Sequence, residues 1–105
     1  MPDETPVVTR NADARRFEVV SDPAAFLRYV EADGRVRMIH TEVPPRLQHR
    51  GYGSALVRAA LAYARQAHLR VDPLCPFVRD YIARHPADAD LVDRPSPGRP
   101  DPLSS

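Results

Sequence analysis

The run Gln48-His49-Arg50-Gly51-Tyr52-Gly53-Ser54 holds the ingredients of an anion cradle. Two glycines stand two residues apart beside basic side chains, ahead of an apolar, alanine-rich segment from Ala55 to Ala67. Glycines at 51 and 53 let the backbone turn tightly and approach a ligand with no side chain in the way. The first N–H groups of a helix lack internal partners and lie at the positive end of its dipole, so phosphate is the ligand chemistry that suits them. A Gly-x-Gly pair taken alone more often marks an ordinary turn, and His49 and Arg50 would then simply face solvent.

Two further groups could do chemistry. Cys75 stands immediately before Pro76, which suits the first position of a helix, so the sulfur is expected at a helix N-cap. A free thiol titrates near about 8.5 and is only a few per cent thiolate at neutral pH; a helix N-terminus lowers that value by roughly a unit or more. The other fate of a single cysteine is that of a small buried hydrophobe. His40 and Glu42 share one face of a strand if no bulge intervenes, so an imidazole and a carboxylate could move a proton together. A strand histidine is more often held structurally by a hydrogen bond. No Cys/His spacing resembles a zinc site, no metal is expected, and one cysteine cannot form an internal disulfide.

The elements that must position these residues are legible in outline. Arg16 to Val20 reads as a strand, broken by Ser21-Asp22-Pro23. Asp33-Gly34 lies between two β-rich runs, Ala25 to Val30 and Arg35 to Val43, a strong hairpin signal. In the second run Val36 and Met38 share a face with His40 and Glu42, whereas Ile39 and Val43 share the other; a bulge, or burial of both faces, accounts for the drift. Pro44-Pro45 closes that strand. From Gly53 to Ala67, Val57, Ala60, Leu61 and Ala64 form the stripe of a helix packed on a sheet, with Arg58 and Arg65 elsewhere. His68 to Leu74 gives a fourth strand, and Cys75-Pro76 opens a helix that runs to about Arg84 and ends at His85-Pro86. The order predicts a small α/β sheet with the first helix as a crossover.

Length and composition set the bounds. The chain has 105 residues, 43% of them hydrophobic, which fits a single domain over 1–92. DRPSPGRPDPLSS, residues 93–105, has little to bury and is expected to be a disordered tail. A formal charge of +1 argues against a general grip on nucleic acid or an anionic membrane. All 15 basic residues are arginine, which favours planar contacts with phosphate or carboxylate. MPDETP has neither the charged nor the apolar region of a signal peptide, and no apolar run approaches spanning length, so a cytoplasmic protein is expected, a monomer or weak homodimer.

The stretch from His40 to Pro86 resembles the GNAT-type N-acetyltransferases, whose loop reads Q/R-x-x-G-x-G/A ahead of a helix, here Gln48-x-x-Gly51-x-Gly53. HTEVPP (40–45), GYGSALVRAAL (51–61) and PLCPFVRDYIARHP (73–86) are similar to a small single-domain subfamily, the YjdJ-type predicted acetyltransferases. Three separated blocks in order are far more specific than one loop, and they cover roughly half of the chain. The resemblance implies a mixed, mostly antiparallel sheet splayed at one point, reduced in size, with a crossover helix and a C-terminal helix. Acetyl-CoA would enter the gap, its pyrophosphate held by the loop, with Val43 and the residues from Gln48 through Ser54 as its binding set. It also places Cys75 near the acetyl group as a candidate nucleophile, and Tyr81 where many relatives carry a tyrosine that protonates the departing thiolate; packing of the ring on the sheet is nearly as good a reading. His40 is the third catalytic candidate. Arg79, one turn beyond Cys75, reads as a solvated helix residue. The two-helix segment that shapes the acceptor pocket in larger members is missing, so the acceptor site is expected to be open or completed by a partner. The implied reaction is acetyl transfer to an unidentified amine. Rival readings are a CoA- or acyl-CoA-binding module without turnover and a redox sensor built on Cys75.

Overall fold

Turn chemistry and register build the sheet. The computed structural model describes residues 6–92, so the stretch expected to be a tail lies outside the described residues. Strands β1 (Val8–Asn11), β2 (Arg16–Val19), β3 (Asp22–Ala32) and β4 (Arg35–Glu42) form an antiparallel meander, and β5 (Arg70–Pro73) joins β4 in parallel. Asp33 (φ 55°) and Gly34 (φ 75°) both adopt the left-handed conformation that a tight β3–β4 turn requires. Helix α1 (Tyr52–Gln66) is the crossover from β4 to β5, and α2 (Pro76–Arg84) follows β5. Short 3-10 turns at Pro45–Leu47 and Pro86–Leu91 complete the order.

One local reading is corrected, and two features lie beyond those the sequence signals. The expected break at Ser21-Asp22-Pro23 is shorter: β3 begins at Asp22, and Pro23 is accommodated where the β2–β3 register shifts after Glu18. Strand β1 was not expected; its short sequence acquires a strand's form only by pairing Val8 with Val19 across the edge of the sheet. Leu91 is buried by the last 3-10 turn, which Arg65 of α1 holds through Asp88 (3.4 Å) and Asp90 (3.0 Å).

Both helices cover the same face of the sheet. Val19, Leu27, Val36, Met38 and Val71 from the strands pack with Leu56, Val57, Ala60 and Ala64 of α1 and Val78 of α2, each 0% exposed. The small alanines of α1 allow that close approach. On the opposite face none of the outward residues of β2, β3 and β4, such as Arg16, Phe26, Arg28 and His40, is buried. Among the described residues no element covers it.

The phase drift along β4 is a bulge. Arg28 pairs with His40 and the next residue, Tyr29, pairs with Met38, so Ile39 is the extra residue. Beyond it the faces exchange. Thr41, opposite buried Leu27, joins Met38 on the helix side, while His40 and Glu42, opposite Arg28 and Phe26, face away. Of the two explanations for the drift, the bulge is the one found: Met38 parts from His40 and Glu42, and those two keep a common face.

Candidate functional site

The sheet opens where β4 outruns β5. Their last register pair is Met38 with Pro73, and the Cys75 N–H donates to the Met38 carbonyl at 3.0 Å before the chain turns into α2. From Ile39 to Glu42, β4 has a neighbour on its β3 side alone. A cleft of about 570 Å³ occupies this end of the molecule, within the size range of ligand sites. Thr41, Glu42 and Val43 form one side of it, the loop and start of α1 another, and Leu47 and Phe77 close it.

The loop has the conformation of an anion cradle. His49 (φ 66°) and Gly51 (φ 80°) are both left-handed, an alternation that turns successive N–H groups into a concave nest. Gly51 is the N-cap of α1 and the helix has no side-chain cap. Its first internal bond runs from the Ala55 N–H to the Gly51 carbonyl at 3.0 Å, so the N–H groups of Tyr52, Gly53 and Ser54 have no helical partner. Gln48 fixes the loop to the strand by donating from Nε2 to the Val43 carbonyl at 3.1 Å. Gly53 serves a different purpose from Gly51: it has no left-handed φ, and a Cβ there would stand 2.7 Å from the tip of the Phe77 ring. Donors without partners, a positive helix end and this lining fit a pyrophosphate and its pantetheine arm. Of the residues expected to bind the donor, Val43, Gln48, His49, Gly51, Tyr52, Gly53 and Ser54 line the cleft; Arg50 is exposed and does not.

Cys75 is the N-cap of α2 and is buried, its Sγ 3.5 Å from Thr41 Oγ1. Burial pushes the thiol up. The Thr41 hydroxyl and the backbone N–H groups of Val78 and Phe77 outweigh it, and the net direction is down from the ordinary thiol value. No capping hydrogen bond of good geometry closes onto those N–H groups, so the effect is that of dipoles near the sulfur. Cys75 is thus one side chain behind the cleft wall, with Thr41 between.

The other two catalytic candidates lie apart from it. His40 Nε2 and Glu42 Oε1 are 2.8 Å apart on the uncovered face; Glu42 also lines the cleft, whereas His40 does not. Tyr81 is buried in the core and stacks on His85, ring centroids 3.9 Å apart, away from the cleft lining. Arg79, unremarkable in sequence, donates to the Pro73 (3.0 Å) and Leu74 (2.9 Å) carbonyls and so fixes the turn that carries Cys75. Sequence reasoning missed Thr41, Leu47 and Phe77, since nothing local signals which residues the fold brings to one opening.

Among the described residues there is no cluster of side chains suited to a metal ion, and no helix is long and apolar enough to cross a membrane. No curated protein matches the chain. The NMR structure of a GCN5-like protein from Staphylococcus aureus superimposes with a TM-score of 0.67 at 18% identity, over 90% of this chain and 94% of that one. At that identity the likeness is one of fold. The family model described as GCN5-related N-acetyl-transferase matches residues 16–91, well over half of the sequence and the whole of the sheet from β2 onward. The chain belongs to the GCN5-related N-acetyltransferase family.

Proposed function

We propose that this protein transfers the acetyl group of acetyl-CoA to an amine, and that it is one of the small single-domain acetyltransferases of the YjdJ type. The observation that carries the reading is the continuity of the opening. The start of α1, the unpaired edge of β4 and Thr41 line a single cleft, and the Thr41 hydroxyl touches Cys75 just behind its wall. Bound acetyl-CoA would supply a thioester. The loop would hold its pyrophosphate, and the β4 edge would align the pantetheine arm beside Thr41.

Transfer through Cys75 is favoured by the lowered thiol and its seat beside Thr41. Sγ would attack the thioester carbonyl, the C–S bond to CoA would break, and CoA would leave as its thiol. An amine would then displace Sγ, forming the C–N bond and giving its proton to the His40–Glu42 pair. Intact-mass analysis after mixing with acetyl-CoA alone tests this route. The chain has no lysine, so acetylation can occur only at the N-terminus or Cys75 among amines and thiols. A single adduct lost in Cys75→Ala is expected. Full turnover by Cys75→Ala would sink the covalent route and leave direct transfer. Tight binding with no product from a broad amine panel would leave a CoA-binding module.

A further inference from the structure

The uncovered sheet face beside the cleft carries a patch of four side chains whose charges are arranged for one kind of acceptor. Phe26 and Arg28 on β3 stand in register with Glu42 and His40 on β4. Side chains so paired are neighbours at roughly 4.5–5.5 Å between Cβ atoms, and their diagonals remain within reach of long side chains. The Phe26 ring meets the His40 ring edge-on, centroids 6.2 Å apart, which supports the imidazole from one side. Glu42 turns to His40 rather than to Arg28 on the opposite corner.

Arg28 is thereby left exposed, with no side-chain hydrogen bond or ion pair among the described residues. Its environment favours an anion. Arg16 is its register partner on β2, and like charges directly opposite repel. Arg16 is held by Glu18 (2.7 Å) and lies over the Phe26 ring (4.3 Å), while Glu18 also accepts from Asn11 (3.2 Å). Further along the face, Arg37 and Arg35 share Asp72. The neighbouring carboxylates are committed, and the fork of Arg28 suits another one.

We propose that this patch is the acceptor subsite and that the acceptor is a small zwitterion, an amine carrying its own carboxylate, as in an amino acid. The proposal rests on the acetyl-transfer reading given above. Arg28 binds the carboxylate, and Glu42 draws the ammonium to the other corner. The His40–Glu42 pair takes one proton from the ammonium to free its lone pair, nitrogen attacks the carbonyl carbon, whether of the thioester or of acetyl-Cys75, and a second proton passes from nitrogen to the departing sulfur. The C–N bond forms as the C–S bond breaks, and the sulfur leaves as thiol. Glu42, which faces the patch and also lines the cleft, joins the two where β4 has no β5 neighbour. Arg28 is a specificity-determining residue, and the missing cover becomes the entry route.

The test is an NMR titration of the full chain saturated with CoA, using L-alanine and its decarboxylated counterpart ethylamine, with acetyl transfer to each measured separately. L-Alanine is expected to shift the amides of Phe26, Arg28, His40 and Glu42 and to be preferred over ethylamine at least about tenfold in kcat/KM. Arg28→Gln should erase that preference while CoA affinity changes less than about twofold. Equal use of the two amines, shifts elsewhere, or a preference unchanged in Arg28→Gln would overturn the proposal while leaving the transferase intact. Alanine seated on this patch but not acetylated while another amine is acetylated would overturn the acceptor assignment, whereas no transfer to any amine in a broad panel would refute the transfer reading itself.

Discussion

Thr41 Oγ1 and Cys75 Sγ lie 3.5 Å apart because a single bulge residue, Ile39, exchanges the faces of β4. Without it, Thr41 would join the outward face and the sulfur would lose a hydroxyl that favours its charged form. This contact predicts a measurable titration. Cys75, as the sole thiol, should give an ultraviolet thiolate transition with a midpoint below the ordinary thiol value, read against Cys75→Ser. Thr41→Val should move it upward. Because the folded pKa is depressed, its contribution to stability is present in full above the unfolded value near about 8.5 and is lost as pH falls through the folded value. A midpoint in Thr41→Val at or below that of the parent would contradict the assignment.

The two loop glycines should respond differently to alanine. Gly51 is left-handed at φ 80° with nothing within 4 Å of a new Cβ, so Gly51→Ala should cost about 1–2 kcal/mol through backbone strain alone. Gly53→Ala meets only the far end of the Phe77 ring, a side chain 38% exposed, and gains up to about 1 kcal/mol of helix propensity. Urea unfolding should therefore rank Gly53→Ala the more stable of the two.

Tyr81 is buried and stacked on His85, outside the cleft lining. Tyr81→Phe should keep kcat within about twofold of the parent with whichever acceptor is found, because the ring's packing survives and no reacting group is removed. A loss of tenfold or more would restore the phenol to the chemistry.

Stability should depend on the core far more than on the surface ion pairs. Met38→Ala, at a site 0% exposed between the bulge and α1, should cost about 2–5 kcal/mol. Arg65→Ala, which releases Asp88 and Asp90 from an exposed network, should cost less than about 1 kcal/mol. Denaturant midpoints of the two variants check the contrast.

What was legible in the sequence was set by neighbours a few residues apart. The stripe Val57, Ala60, Leu61, Ala64 identifies α1, Asp33-Gly34 identifies its hairpin, and Cys75-Pro76 identifies the start of α2. Seven residues of the expected donor-binding set line the cleft for the same reason, since a loop and the helix it opens are one local unit. Pairing across the chain was not legible. Strand β1 exists through its register with β2, and the bulge showed only as a drift in apolar phase. Phe77 reaches Gly53 because α2 returns against α1. The patch of Phe26, Arg28, His40 and Glu42 needs the β3–β4 register before it can be seen at all.

On the proposed reading, the left-handed loop at His49 and Gly51 and the first N–H groups of α1 hold the donor. The decisive measurement is a calorimetric titration with acetyl-CoA of the parent chain and of Gly51→Asp, once circular dichroism has shown both to be folded. Saturable one-to-one binding by the parent, abolished by a carboxylate placed in the cradle, is the predicted result. Equal affinity in the two proteins would contradict it.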